Sequence, residues 1–197
     1  GLSHAYDYFC VASEGYRRHF ENKGVDPRRL VVTGIPNFDN CQIYHDNDFP
    51  HKGYVLVATS DMRETFKYEN RKKFIRSCVE KADGRQLIFK LHPNENSERA
   101  IKEIKAEAPD ALVYIKANIN HLIANCDVLI TRFSSVVYIG LALGKEVYSD
   151  FDLTELRDMV PLQNDSTSAR NIAEVCRKML QGELPSFPKT ILGGRFK

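Results

Sequence analysis

From Tyr54 onward the chain alternates short, almost wholly apolar runs with longer amphipathic ones. This rhythm limits the fold more than any other feature. The apolar runs are YVLVATS (54–60), RQLIFKLHP (85–93), ALVYI (111–115), DVLIT (127–131) and EVYS (146–149). The stretches between them predict helices within 66–82 and over 97–108, 118–126 and 134–144. Strands that are apolar throughout need cover on both faces, and a parallel sheet joined by crossover helices supplies it. The expected fold class is therefore α/β, a parallel sheet with helices on both faces.

The residues before Tyr54 follow a similar rhythm. YDYFCVA (6–12) reads as a strand, Ser13 caps the helix EGYRRHFENK, and Gly24 ends it. RLVVT (29–33) is a second strand that runs into GIPNFDN, a turn of the kind that leads from one domain to the next. Residues 40–53 lack periodicity and read as a linker. STSARNIAEVCRKML (166–180) is a helix with Ser166 as its expected cap. The opening residues look like the middle of a domain, so the chain is expected to be a piece of a longer protein.

Bulk properties remove several function classes. The net charge of +2 over 197 residues argues against nucleic acid as a partner. No apolar run approaches the roughly 20 residues of a membrane span, and Gly1 to Cys10 shows neither the basic start nor the apolar block of a signal peptide. Cys10, Cys41, Cys78, Cys126 and Cys176 are dispersed without a CxxC pair. They read as reduced thiols rather than a disulfide frame or a zinc site. Neither a GxGxxG after a strand nor a GxxxxGK[ST] is present, which disfavours dinucleotide and P-loop chemistry.

In doubly wound sheets, ligands bind beyond the carboxyl ends of the strands. The corner TRFSS (131–135) places Ser134 and Ser135 behind Arg132, between an apolar strand and an apolar helix. Such serines either cap the helix or donate to an anion. In KLHPNE (90–95), His92 follows a strand directly and is held by Pro93. It can donate to a phosphate or act as an acid or base near neutral pH, or simply sit in a surface turn. The remaining loop candidates are Ser60, Tyr114 and Ile115. DND (46–48) falls in the linker, so no metal pair is expected at a strand end.

Two longer patterns carry a resemblance. VASEGYRRHFENKGVDPRRLVVTGIPNFDN (11–40) resembles the passage into the second domain of GT-B sugar-nucleotide enzymes, including UDP-N-acetylglucosamine 2-epimerases. KLHP (90–93), followed by DVLITRFSS (127–135) and LGKEVY (143–148), is similar to CDP-glycerol glycerophosphotransferases and to polysialyltransferase-type capsule transferases. The resemblance implies a Rossmann-like C-terminal GT-B domain over residues 37–180. Residues 1–36 would be the tail of an N-terminal domain and 181–197 a C-terminal tail. It also implies donor phosphates on His92, Ser134 and Ser135, with Arg132 beside them. Ser60, Tyr114 and Ile115 would then lie toward the nucleotide base. The usual TDYSS is TRFSS here, and the carboxylate-bearing helix of the epimerases is absent between Ser134 and Gly144.

The expected partners are a pyrimidine nucleotide-sugar or CDP-alditol donor and a glycan or lipid-linked acceptor, with no cofactor and no metal. Catalytic residues stay unassigned, because the acceptor site would lie outside this chain, which alone is expected to bind without turnover. The expected setting is cytoplasmic, in envelope or capsule polysaccharide synthesis, with RRHF (17–20) and RFK (195–197) as candidate membrane contacts. Two other readings stay open: a 2-epimerase relative, and a non-enzymatic α/β module in which the serines are only caps.

Overall fold

The computed structural model describes residues 6–65 and 67–185. Contacts divide the chain into two compact units. One comprises the residues up to Asn40 together with those from Thr154 on; the other is Cys41–Leu153.

In the first unit, β1 (Phe9–Val11) leads through α1 (Glu14–Asn22) to β2 (Leu30–Val32). The two strands pair in parallel, Phe9 beside Leu30. The helix begins where the sequence predicts. Ser13 Oγ accepts from the Tyr16 N–H at 3.3 Å, satisfying one of the donors a first turn leaves free. Val11, Val25 and Leu30 form a small core, with Phe20 and Val32 packed against it.

The second unit runs β3 (Tyr54–Ala58), α2 (Arg71–Ala82), β4 (Leu87–Lys90), α3 (Ser97–Glu107), β5 (Leu112–Tyr114), α4 (Ile119–Asn125), β6 (Cys126–Thr131), α5 (Val137–Ala142) and β7 (Glu146–Tyr148). Every pairing is parallel and the strand order is β5-β4-β3-β6-β7. This is the α/β, Rossmann-like sheet expected from the rhythm of apolar runs. Alternate residues of β3 face opposite ways. Val55 and Val57 join a fully buried cluster with Ile75 and Cys78 of α2 and Ile104 of α3. Tyr54 turns to the other face, where its hydroxyl donates to Leu122 O of α4 at 2.6 Å. There α5 lies so close to β6 that a Cβ on Gly140 would come within 2.8 Å of Leu129 Cδ2. From β3 the chain adds β4 and β5 on one side, then returns to place β6 on the other. The carboxyl ends of β3 and β6 therefore flank the switch point of the sheet.

All five cysteines are free thiols. Burial pushes Cys78 and Cys126 up to about 12, so both stay protonated.

Several local expectations change. Residues 41–45 form a 3-10 turn, with Cys41 fully buried and Asn47 Oδ1 accepting from Asn125 Nδ2 at 2.7 Å. A single-turn element held by so few anchors leaves no periodic signal. The same holds for α6 (Leu153–Asp158), which the sequence does not announce. In the first unit α1 approaches it so closely that a Cβ on Gly15 would lie 2.0 Å from Asp158 O. Ser166 is not the cap of α7 (Ser168–Leu180); it adopts φ 63°, two residues before the helix starts. The first-turn N–H of Ser168 is instead taken by Asp39 Oδ2 at 3.0 Å. A carboxylate there also meets the positive end of the helix dipole. The GIPNFDN turn thus seats α7 within its own unit, and Asn164 and Asn171 both donate to Thr33 O at 3.2 Å. The expected tail beyond residue 185, with its RFK run, lies outside the described residues. No described helix is long and apolar enough to cross a membrane.

Candidate functional site

A cavity of about 340 Å³ opens beyond the carboxyl ends of the central strands. Ala58 and Thr59 line it from β3, Lys90 to Pro93 from the end of β4, Ala117 and Ile119 from the start of α4, and Ser134 to Val136 from the corner after β6. His92, Ser134 and Ser135, far apart in sequence, therefore face one space. The serines do not cap α5: its N-cap is Val136 and no side chain caps it. The carbonyls of Ser134 and Ser135 accept from the Val137 and Tyr138 N–H groups at 3.2 and 3.1 Å, which winds a tight turn before the helix. Within the described residues neither serine hydroxyl has a hydrogen-bond partner.

His92 is set in place from behind. Its backbone N–H donates to Thr59 Oγ1 at 3.0 Å, and the Thr59 hydroxyl in turn donates to the Glu95 carboxylate. Glu95 Oε1 accepts from Arg71 at 2.6 Å, and Arg71 also reaches Glu69 at 3.3 Å. The side chains of Glu69, Arg71 and Glu95 are at most 3% exposed. Burial raises the Glu95 carboxyl above the usual range against the pull of Arg71. Asp61 lies 3.9 Å from His92 Nδ1 on the open side.

Arg132 joins this brace. It pairs with Asp150 at 2.5 Å and with Glu69 at 3.5 Å, and its guanidinium lies 5.5 Å from the centre of the Phe74 ring. It is not among the residues lining the cavity, so the structure separates it from the serines it precedes. Ser60 is buried directly after Thr59, and its hydroxyl, like that of Thr131 at the end of β6, has no partner among the described residues. Tyr114 lines a neighbouring cavity of about 390 Å³ with Asp48, Phe49 and His121, its ring 5.4 Å from that of Phe49. Ala117 borders both cavities. Ile115 is half exposed and borders neither.

The sequence reading missed Lys90, which lines the cavity at only 8% exposure. Its signal was present: a lone cation closing an otherwise apolar, fully buried strand. The Glu69–Arg71–Glu95 brace carried no such signal, because its members fall on separate loops and helices.

The fold resembles several solved enzymes. S. aureus MnaA, solved with UDP, superposes with a TM-score of 0.67 at 14% identity, over 95% of this chain and 64% of that one. The UDP-GlcNAc 2-epimerase of Neisseria meningitidis bound to UDP-GlcNAc gives 0.63 at 14%, over 89% and 62%. The wall teichoic acid polymerase TagF gives 0.52 at 14%, over 92% and 59%. At such identities the likeness is one of fold, and the chain spans less than two thirds of each of these proteins. No curated protein matches it. The sequence model of one family, however, matches residues 2–143, well over half of the chain. The chain belongs to the CDP-Glycerol:Poly(glycerophosphate) glycerophosphotransferase family.

Proposed function

We propose that this chain binds the nucleotide-linked donor of a GT-B transferase that moves a glycerophosphoryl or glycosyl group during envelope or capsule polymer synthesis. One observation carries the reading: His92, Ser134 and Ser135 converge on a single cavity at the switch point of the sheet, with both serine hydroxyls uncommitted. Those are donors suited to phosphate oxygens. The hydroxyls of Ser60 and Thr131, buried without a partner among the described residues, do not line that cavity and add nothing to the reading. The adjoining cavity beside Tyr114 suits the nucleoside, the aromatic ring offering a stacking face. Ile115 contributes at most its backbone, and Arg132 acts through Glu69 and Asp150 rather than on the donor.

The chemistry this arrangement supports is electrostatic. As the transferred group leaves, negative charge builds on the phosphate left behind, and fixed donors stabilise it most where charge develops. The acceptor, glycan or lipid-linked, and the group that activates it belong to the remainder of such an enzyme. Action at the cytoplasmic face of a membrane is part of the same proposal.

The test is a calorimetric and thermal-shift titration with CMP, CDP, UMP, UDP and GDP. It compares the wild type with a His92→Ala, Ser134→Ala, Ser135→Ala triple variant. At 100 times its dissociation constant a ligand adds about 2.7 kcal/mol to stability. A pyrimidine nucleotide that shifts the wild type and not the variant is the expected result. Equal shifts in both would remove the phosphate site from this cavity. Selectivity for UDP, with epimerisation of UDP-GlcNAc by the longer protein, would favour the epimerase reading instead.

A further inference from the structure

We infer that Lys90 reads the charge of the bound ligand, its Nζ meeting a phosphate group and favouring diphosphate- over monophosphate-linked nucleotides. This rests on the phosphate-site reading above and deepens it.

The argument starts from compensation. Arg71 has Glu69 and Glu95, Arg132 has Glu69 and Asp150, and Arg63 has Glu103 at 2.6 Å. Lys90 is only 8% exposed, more buried than Arg63 or Arg132, yet no carboxylate of the described residues lies within 4.0 Å of its Nζ. Its one partner is the neutral carbonyl of Leu91 at 2.7 Å, which occupies one of three ammonium donors. A buried charge is stabilised by an opposite charge and further hydrogen bonds, and one carbonyl does not replace them. Burial accordingly holds the Lys90 ammonium below its ordinary pKa.

The surroundings say what completes it. No Asp or Glu lines the cavity, whereas Lys90, His92, Ser134 and Ser135 all do. A space walled by a cation and uncommitted hydroxyls, with no acidic side chain, selects an anion of concentrated charge. The attraction grows with that charge, so a diphosphate should gain more from Lys90 than a monophosphate. A lysine serving only to hold the Leu91 carbonyl would show no such dependence on the ligand.

The experiment titrates CMP, CDP, UMP, UDP and inorganic pyrophosphate into the 197-residue chain as wild type, Lys90→Met and Lys90→Arg, and records the melting temperature of each without ligand. In the wild type, affinity should rise about tenfold or more from mono- to diphosphate, a step of 1.4 kcal/mol. Lys90→Met should flatten that step while melting no lower than wild type, since it removes an uncompensated charge and keeps the apolar stem. Lys90→Arg should restore most of the step. If Lys90→Met keeps the full step, the inference fails and the phosphate site stands. If the wild type binds no phosphate-bearing probe, both fail. A Lys90→Met chain that unfolds or melts well below wild type would show that the charge is structurally required, and overturns the inference as well.

Discussion

Arg71 and Arg132 on one hand, and Lys90 with the neighbouring His92 on the other, are built in opposite ways. Arg71 and Arg132 are bound to Glu69, Glu95 and Asp150, so their charge is spent within the fold. Lys90 and the cavity side of His92 face a space without a carboxylate lining. The first group is a brace; on the proposed reading the second is a receptor. Thr59 joins them, accepting from the His92 backbone and donating to Glu95. The comparison teaches that a cation near a ligand site says little until its partners are known. Removing a braced cation should cost stability, and removing a receptor cation should cost affinity.

That division can be broken by mutation. The largest effect is expected from Arg71→Met, which leaves Glu95 buried without its counter-ion and takes one of three cations from Glu69. Loss of one partner from a buried pair typically costs about 3–5 kcal/mol. Denaturant unfolding should show it, and a change below 1 kcal/mol would dissolve the brace as described. Thr59→Val comes next. It orphans the His92 N–H, at about 1–3 kcal/mol, and should weaken nucleotide binding by freeing His92, so it alone should register in both assays. Arg132→Met is the sharper probe of the division. It should lower the melting temperature yet leave nucleotide affinity within about threefold, under 0.7 kcal/mol. A larger loss of affinity would return Arg132 to the ligand.

The smallest effect is a difference in pH dependence. Lys90 has a folded pKa below its ordinary 10.5, so over the interval between the two values the unfolded chain binds the proton more. Stability owed to this residue must therefore rise with pH across that interval. Subtracting the Lys90→Met curve from the wild-type curve isolates it from Cys78 and Tyr54, whose raised values act in the opposite direction. A difference that falls with pH would contradict the uncompensated charge.

Much of the fold was legible because it rests on local rules. Short apolar runs at regular spacing, alternating with amphipathic ones, gave the strands of the second unit, and Ser13 caps α1 through a contact three residues away. The convergence of His92, Ser134 and Ser135 was legible for a related reason: loops at strand carboxyl ends must gather at one edge of a parallel sheet. Ser166 failed as a cap because Asp39, 129 residues from Ser168, supplied a better acceptor. Arg132 was drawn toward the serines by adjacency in sequence, while Glu69 and Asp150 claimed it across loops.

By itself, the sequence determined the alternation of strands and helices, the parallel sheet, and the edge at which His92, Ser134 and Ser135 gather. These follow from burial and chain connectivity, which act over a few residues or over whole elements. The tertiary structure alone decided which charges are neutralised and which remain open. Compensation depends on distances of a few ångströms between residues tens of positions apart, and no local pattern encodes those distances.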